Sequence, residues 1–96
     1  MEYTEKEIEI LQRILDYYRD IPEAPLVGMS IRFDEDYAEA CKSLEQKGIA
    51  KISHFKDDPP GSTCIGVNKA GADEIARLFK AGILKKFEDR IIAKTE

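Results

Sequence analysis

The stretch that most restricts the folds open to this chain runs from Asp34 to Gly48, DEDYAEACKSLEQKG. Asp34 can accept from the free N–H groups of a helix start, and Glu35 and Asp36 suit the positive end of a helix dipole. Tyr37, Ala40, Cys41 and Leu44 then recur at helical spacing and gather one apolar face. Gly48 suits the left-handed stop after a last turn. The spacing predicts a helix over 34–47. Its other face offers Glu35, Asp36, Glu39, Lys42, Ser43 and Gln46 to solvent or a partner. On these boundaries Glu39 lies beyond the reach of the dipole.

A hairpin pattern follows. Ile49, Ile52 and Phe55 mark a strand-like run, Asp57-Asp58-Pro59-Pro60-Gly61-Ser62 is dense in turn formers, and TCIGVN reads as a returning strand. A hairpin over 49–68 with a long tip is expected. Upstream, Thr4 and Glu7 have capping-box spacing, and Ile8, Leu11, Ile14, Leu15 and Tyr18 form an apolar stripe, widened by Ile10 and Tyr17. A first helix is expected over 4–20, ended by Pro22 and Pro25. The segment 26–33, LVGMSIRF, fits a strand by its β-branched content or one to two turns of helix after Pro25. We read it as a short helix, with Val27 and Ile31 on one face. A closing helix is expected over 70–94 on Ala72, Ile75, Leu78, Phe79, Ile83, Phe87 and Ile91. Gly82 is a candidate break, costing roughly 1 kcal/mol against alanine. The whole chain, 1–96, is then one α+β domain, mainly α.

That order of elements, with the third helix ending in L-x-x-x-G-I, resembles the winged helix-turn-helix superfamily and, within it, the MarR-like regulators. Tyr37, Ala40, Cys41, Leu44, Gly48 and Ile49 carry the resemblance, and Asn68-Lys69-Ala70-Gly71 resembles the junction after the second wing strand. It implies three helices, a two-stranded wing and a C-terminal helix, in a DNA-binding transcription regulator. Two departures stand out. The turn between Ile31 and Tyr37 is about a residue short, and Glu35, Asp36 and Glu39 stand where the family usually offers Ser, Thr, Arg, Gln or Asn.

Charge bears on that implication. The 96 residues are 43% hydrophobic and 35% charged, as in a globular chain, with a formal net charge of −4. Affinity for nucleic acid comes largely from neutralising phosphates, so net acidity weighs against DNA without removing a local basic patch. For DNA contact the candidates are Arg32, Lys42, Ser43, Gln46 and Lys47 around the third helix, and Lys51, His54 and Lys56 on the wing. An ordinary solvated face is the bland reading of the same residues, and Asp57 and Asp58 at the tip favour it. The alternative is a protein-interaction module in which Glu35, Asp36 and Glu39 receive a basic partner.

Phe87, Ile91 and Ile92 lie past what one small domain needs. A homodimer interface between the first and last helices, with Leu78, Ile83, Phe87 and Ile91, is expected to bury them, the bland reading being a helix folded back on its own core. Cys41, Cys64 and His54 are too few for a zinc site, which usually takes four ligands, so no metal and no cofactor are expected. Cys41 reads as a small buried hydrophobe. Glycine-rich phosphate loops, H-E-x-x-H and G-x-S-x-G are missing, and no enzymatic activity is expected. No apolar run nears the ~20 residues of a membrane span, and the opening residues do not read as a signal peptide, so a cytoplasmic protein is expected.

Overall fold

Helix α1 (Glu5–Asp20) starts at Thr4, whose Oγ1 accepts from the Glu7 N–H at 3.2 Å while Glu7 Oε1 accepts from the Thr4 N–H at 2.8 Å. Two donors left over at the helix start are thereby satisfied reciprocally. The protein is seen here in a computed structural model that describes residues 2–21 and 25–85. Ile10, Leu11, Ile14 and Leu15 turn inward from α1 and are buried.

Residues 26–33 do not form the expected short helix. Val27 makes a parallel bridge with Val67, and Ile31–Phe33 is strand β1. The remaining strands are β2 (Ala50–Ser53) and β3 (Thr63–Val67), and the sheet is antiparallel in the order β1-β3-β2. The physical reason is nonlocal. β3 is paired with β2 on one side, and without β1 its other edge would bury unpaired N–H and C=O groups.

The next helix begins later than expected. Asp34 Oδ1 accepts from the Asp36 N–H at 3.0 Å, but the turn it caps, Glu35–Tyr37, is a 3-10 turn. Helix α2 proper runs Ala38–Gln46. Two corrections follow. Glu39 lies in the first turn of α2, so the helix dipole accounts for it as well. And α2 is preceded by a strand and one 3-10 turn, where a second helix was expected.

Helix α3 (Lys69–Lys80) starts at Asn68, whose Oδ1 accepts from the Gly71 N–H at 2.9 Å. The other end of the same amide donates to Gly48 O at 2.9 Å, so one side chain joins the stop of α2 to the start of α3. A Cβ at Gly71 would lie 2.0 Å from Ile49 O, which makes glycine necessary at this crossing. α3 stops at Lys80 and does not continue to 94. Gly82 takes φ +79°, and the N–H groups of Ile83 and Leu84 return to Leu78 O, which turns Leu84 into the core. Phe87 and Ile91 lie outside the described residues.

The described residues form an α+β fold, mainly helical, with three α-helices and a small three-stranded antiparallel sheet. Alternation along the strands gives the sheet two unlike faces. Ile31, Ile65 and Ile52 line up across the inner face, joined by Phe33 and Val67 in a core shared with all three α-helices. Arg32, Cys64 and Ser53 line up across the outer face, beside the Lys51–Gly66 pair. Among the described residues no helix is long and apolar enough to cross a membrane.

Candidate binding surfaces

The cations expected to meet DNA divide into two groups. Lys47, at the C-cap of α2, places Nζ 2.6 Å from Glu7 Oε2 and 4.8 Å from the centre of the Tyr3 ring. Glu7 is only 1% exposed, so this ammonium is the counter-ion of a buried carboxylate and is not available to phosphate. Arg32 lies on β1 and not beside α2, with Nη2 3.0 Å from Asp58 Oδ1. The same Asp58 carboxylate accepts from the Phe55 N–H at 3.0 Å and stands 3.5 Å from Cys64 Sγ, folding the hairpin tip back onto the outer sheet face.

The second group is open. Lys42 and Gln46 are exposed on α2, with Ser43 half-buried beside them. Lys51 projects from β2, and His54 and Lys56 follow it, all exposed. Lys42, Lys51, His54 and Lys56 make no ion pair among the described residues. Glu45, between Lys42 and Gln46 in sequence, turns toward the sheet instead. Its Oε2 accepts from the Ile52 N–H at 2.8 Å and so blocks that edge of β2 against pairing with another chain.

The acidic residues converge. Glu35, Asp36 and Glu39 share an open groove of about 610 Å³ with Thr4, Glu5, Lys6, Ala40 and Ser43, and the buried Glu7 closes its base. The groove exists because the starts of α1 and of the 3-10 turn lie side by side. Lys6 Nζ donates to Asp36 O at 2.8 Å, and Tyr37 OH donates to Glu9 Oε2 at 2.9 Å. The Arg13 guanidinium lies over the rings of Phe33 and Tyr37, 4.8 and 5.4 Å from their centres, and holds the same junction from the other side. The carboxylates of Glu5, Glu35, Asp36 and Glu39 have no ion pair among the described residues. Glu5 was not among the sequence candidates. Its helix-start position was legible, but its proximity to Glu35 and Glu39 depends on how two helices pack.

Ionisation follows these contacts. Burial pushes the Glu7 carboxyl up, but Lys47 and the Thr4 N–H outweigh it and leave the group below its ordinary range. Glu74 is held down at about 2 by the Arg77 guanidinium and by the Tyr3 hydroxyl, which donates to it at 2.6 Å. Burial raises the Cys41 thiol to about 11, as suits an unreactive core residue, and both cysteines are free thiols. Of the residues expected at a dimer interface, Leu78 is 2% exposed and packs in the core of its own chain. Ile83 is 47% exposed, in a shallow cleft with Tyr3 and Ile8. Among the described residues no cluster of three or more His, Cys, Asp or Glu could hold a metal ion.

Comparison with known proteins gave no match, whether to a family model, a curated protein or a solved structure.

Proposed function

We propose that this chain is a winged-helix-like protein-interaction module that docks a Lys/Arg-rich segment of a partner protein in the groove between α1 and the 3-10 turn leading into α2. The observation that carries the reading is the convergence of Glu5, Glu35, Asp36 and Glu39, from two helix starts, on one open groove. There they outnumber the lining cation Lys6, which donates to Asp36 O, and make no ion pair among the described residues. Each acid taken singly is accounted for by the dipole of its own helix. Their juxtaposition produces a negative cleft, which attracts and orients a cationic partner.

The same geometry counsels against α2 as a reader of duplex DNA. Its leading end is acidic, and two of the eight nominated contacts, Arg32 and Lys47, are held by carboxylates. A second reading, a DNA-binding transcription regulator, is favoured by Lys51, His54 and Lys56 on the hairpin, which stay exposed and without ion pairs among the described residues.

One titration separates the two. A labelled Lys/Arg-rich peptide and a random-sequence duplex are each titrated with the protein across a salt series. The module should bind the peptide, and Glu35→Gln with Glu39→Gln should weaken that binding about tenfold or more. Removing two charges elsewhere, by Asp57→Asn and Asp73→Asn, should weaken it far less. Equal losses from both pairs would reduce the effect to net charge and sink the groove. Duplex binding that falls steeply with salt and survives the Glu35/Glu39 substitutions would establish the second reading instead.

A further inference from the structure

The outer face of the sheet holds a second cleft, of about 350 Å³, between the Val27–Ser30 segment and the outward side chains of β2. Its lining differs in kind from the groove at α1. Among the described residues Lys51 is its one charged residue, Ser30 and Ser53 add hydroxyls, and Val27 supplies an exposed apolar side chain, the side chains of Met29 and Val67 being buried in the core. Among the described residues no carboxylate lines it, in a chain whose formal net charge is −4.

Three features make this more than a chance surface lysine. Its floor is Gly66, where a Cβ would lie 1.9 Å from Met29 O, so the backbone crossing that shapes the cleft is fixed by packing. The ammonium of Lys51 and the hydroxyls of Ser30 and Ser53 make no hydrogen bond or ion pair among the described residues. They come from two segments that β3 holds side by side: Lys51 opposite Gly66 and Ser53 opposite Cys64 on β2, and Ser30 directly before Ile31 of β1, which faces Ile65. A Ser30 Oγ position 3.5 Å from the Gly66 Cβ site places that hydroxyl over the floor.

From this arrangement we infer that the outer sheet face binds a small phosphomonoester. The phosphate dianion takes the ammonium of Lys51 and the hydroxyls of Ser30 and Ser53, since a charged acceptor strengthens each such bond. The volume exceeds what a bare phosphate fills and lies within the range of small-molecule sites, roughly 300–1,000 Å³. The esterified body rests against Val27, which is 46% exposed. The inference stands independently of the acidic groove, because the two clefts share no residue.

The test is two-dimensional NMR on the full chain, titrated separately with inorganic phosphate, adenosine 5′-monophosphate and a short oligonucleotide with or without a 5′-phosphate. Adenosine monophosphate should shift the amides of Ser30, Lys51, Ser53 and Gly66, and bind more tightly than inorganic phosphate. Lys51→Gln should weaken it about tenfold or more, with Ser53→Ala a smaller loss. Binding should strengthen as pH rises through ~6, where the monoester becomes a dianion. A gain from the oligonucleotide's 5′-phosphate would place the monoester at a strand end, and its lack would assign the site to free metabolites. Shifts scattered over Lys42, Lys56 and Lys69 as well, or an unchanged affinity in Lys51→Gln, would overturn the inference. So would equal affinities for inorganic phosphate and the nucleotide, since Val27 would then contribute nothing.

Discussion

Two carboxylates, Glu7 and Asp58, each hold a cation that sequence alone would leave on the surface, and they do so in opposite settings. Glu7 is 1% exposed and ties the start of α1 to the end of α2 through Lys47. Asp58, whose side chain is 10% exposed, ties the hairpin tip to β1 through an Arg32 side chain that remains 53% exposed. A buried pair is costly to break because the surviving charge is stranded, whereas an exposed pair loses little to water and salt. The contrast separates a contact that holds helices together from one that positions a loop. It also explains why the basic surface is smaller than the lysine and arginine content implies.

The largest expected effect is therefore at Glu7. Glu7→Ala removes the capping-box acceptor and strands the ammonium of Lys47. With Lys47 a quarter exposed, the loss should be about 3 kcal/mol, at the lower end for a broken buried pair. For a domain of this size that is a fall of roughly 12–24 °C in Tm by calorimetry. The double change Glu7→Met with Lys47→Met should recover part of the loss, because neither charge is then stranded. A Tm within about 2 °C of wild type in Glu7→Ala would erase the distinction between the two carboxylates.

What could be read from sequence, and what could not, divides along the same line. The capping box at Thr4–Glu7 was legible because both of its bonds span three residues. The second oxygen of Glu7 was not, because its partner is 40 residues away. Residues 26–33 were misread for a related reason. Their local pattern allows helix or strand, and the choice is made by β3, more than thirty residues downstream. Glu39 was misjudged through a shift of a few residues in a helix start, which is the least certain feature of any local reading. Of the candidate surfaces, the acidic residues of the third helix were visible, but the groove was not, since Glu5 joins it only through packing.

Acid should reveal the next effect. Glu7 and Glu74 both have folded-state values held below those of the unfolded chain. Their stabilisation is complete above the unfolded carboxylate range near 4.5 and is lost as pH falls through the lower folded values, toward about 2 for Glu74. Stability followed by urea titration should be nearly flat from pH 7 to about 5 and then decline. Glu7→Gln keeps an oxygen for the Thr4 N–H but has no proton to gain, so its decline below pH 4.5 should be shallower than that of the wild type. Parallel declines would mean that Glu7 gains nothing from its partners in the folded state.

At Asp58 a smaller and more local change is expected. Asp58→Asn weakens the acceptor of the Phe55 N–H and of the Arg32 guanidinium without stranding a buried charge. Hydrogen exchange at the Phe55 amide should quicken by roughly tenfold, the equivalent of one ordinary hydrogen bond. Exchange at Ile10 and Leu11, in the core under α1, should be unchanged. If those core amides also quicken, the hairpin clamp is part of the global fold, and the two carboxylates are more alike than their burial implies.

The smallest effect should come from Arg32→Ala. The guanidinium is half exposed, and once it is gone Asp58 still accepts from the Phe55 N–H and still lies beside the Cys64 thiol. Asp58 is 10% exposed but keeps these partners, and a pair with a half-exposed guanidinium contributes little, so Tm should stay within about 2 °C of wild type, and the Phe55 amide should keep most of its protection. The matched change at the other carboxylate, Lys47→Ala, should lower Tm several times more, because Glu7 is only 1% exposed. That ratio is the sharpest measure of the difference between the two sites. If Arg32→Ala and Lys47→Ala cost the same, burial is not what distinguishes them, and Lys47 could leave Glu7 for a phosphate as readily as Arg32 could leave Asp58.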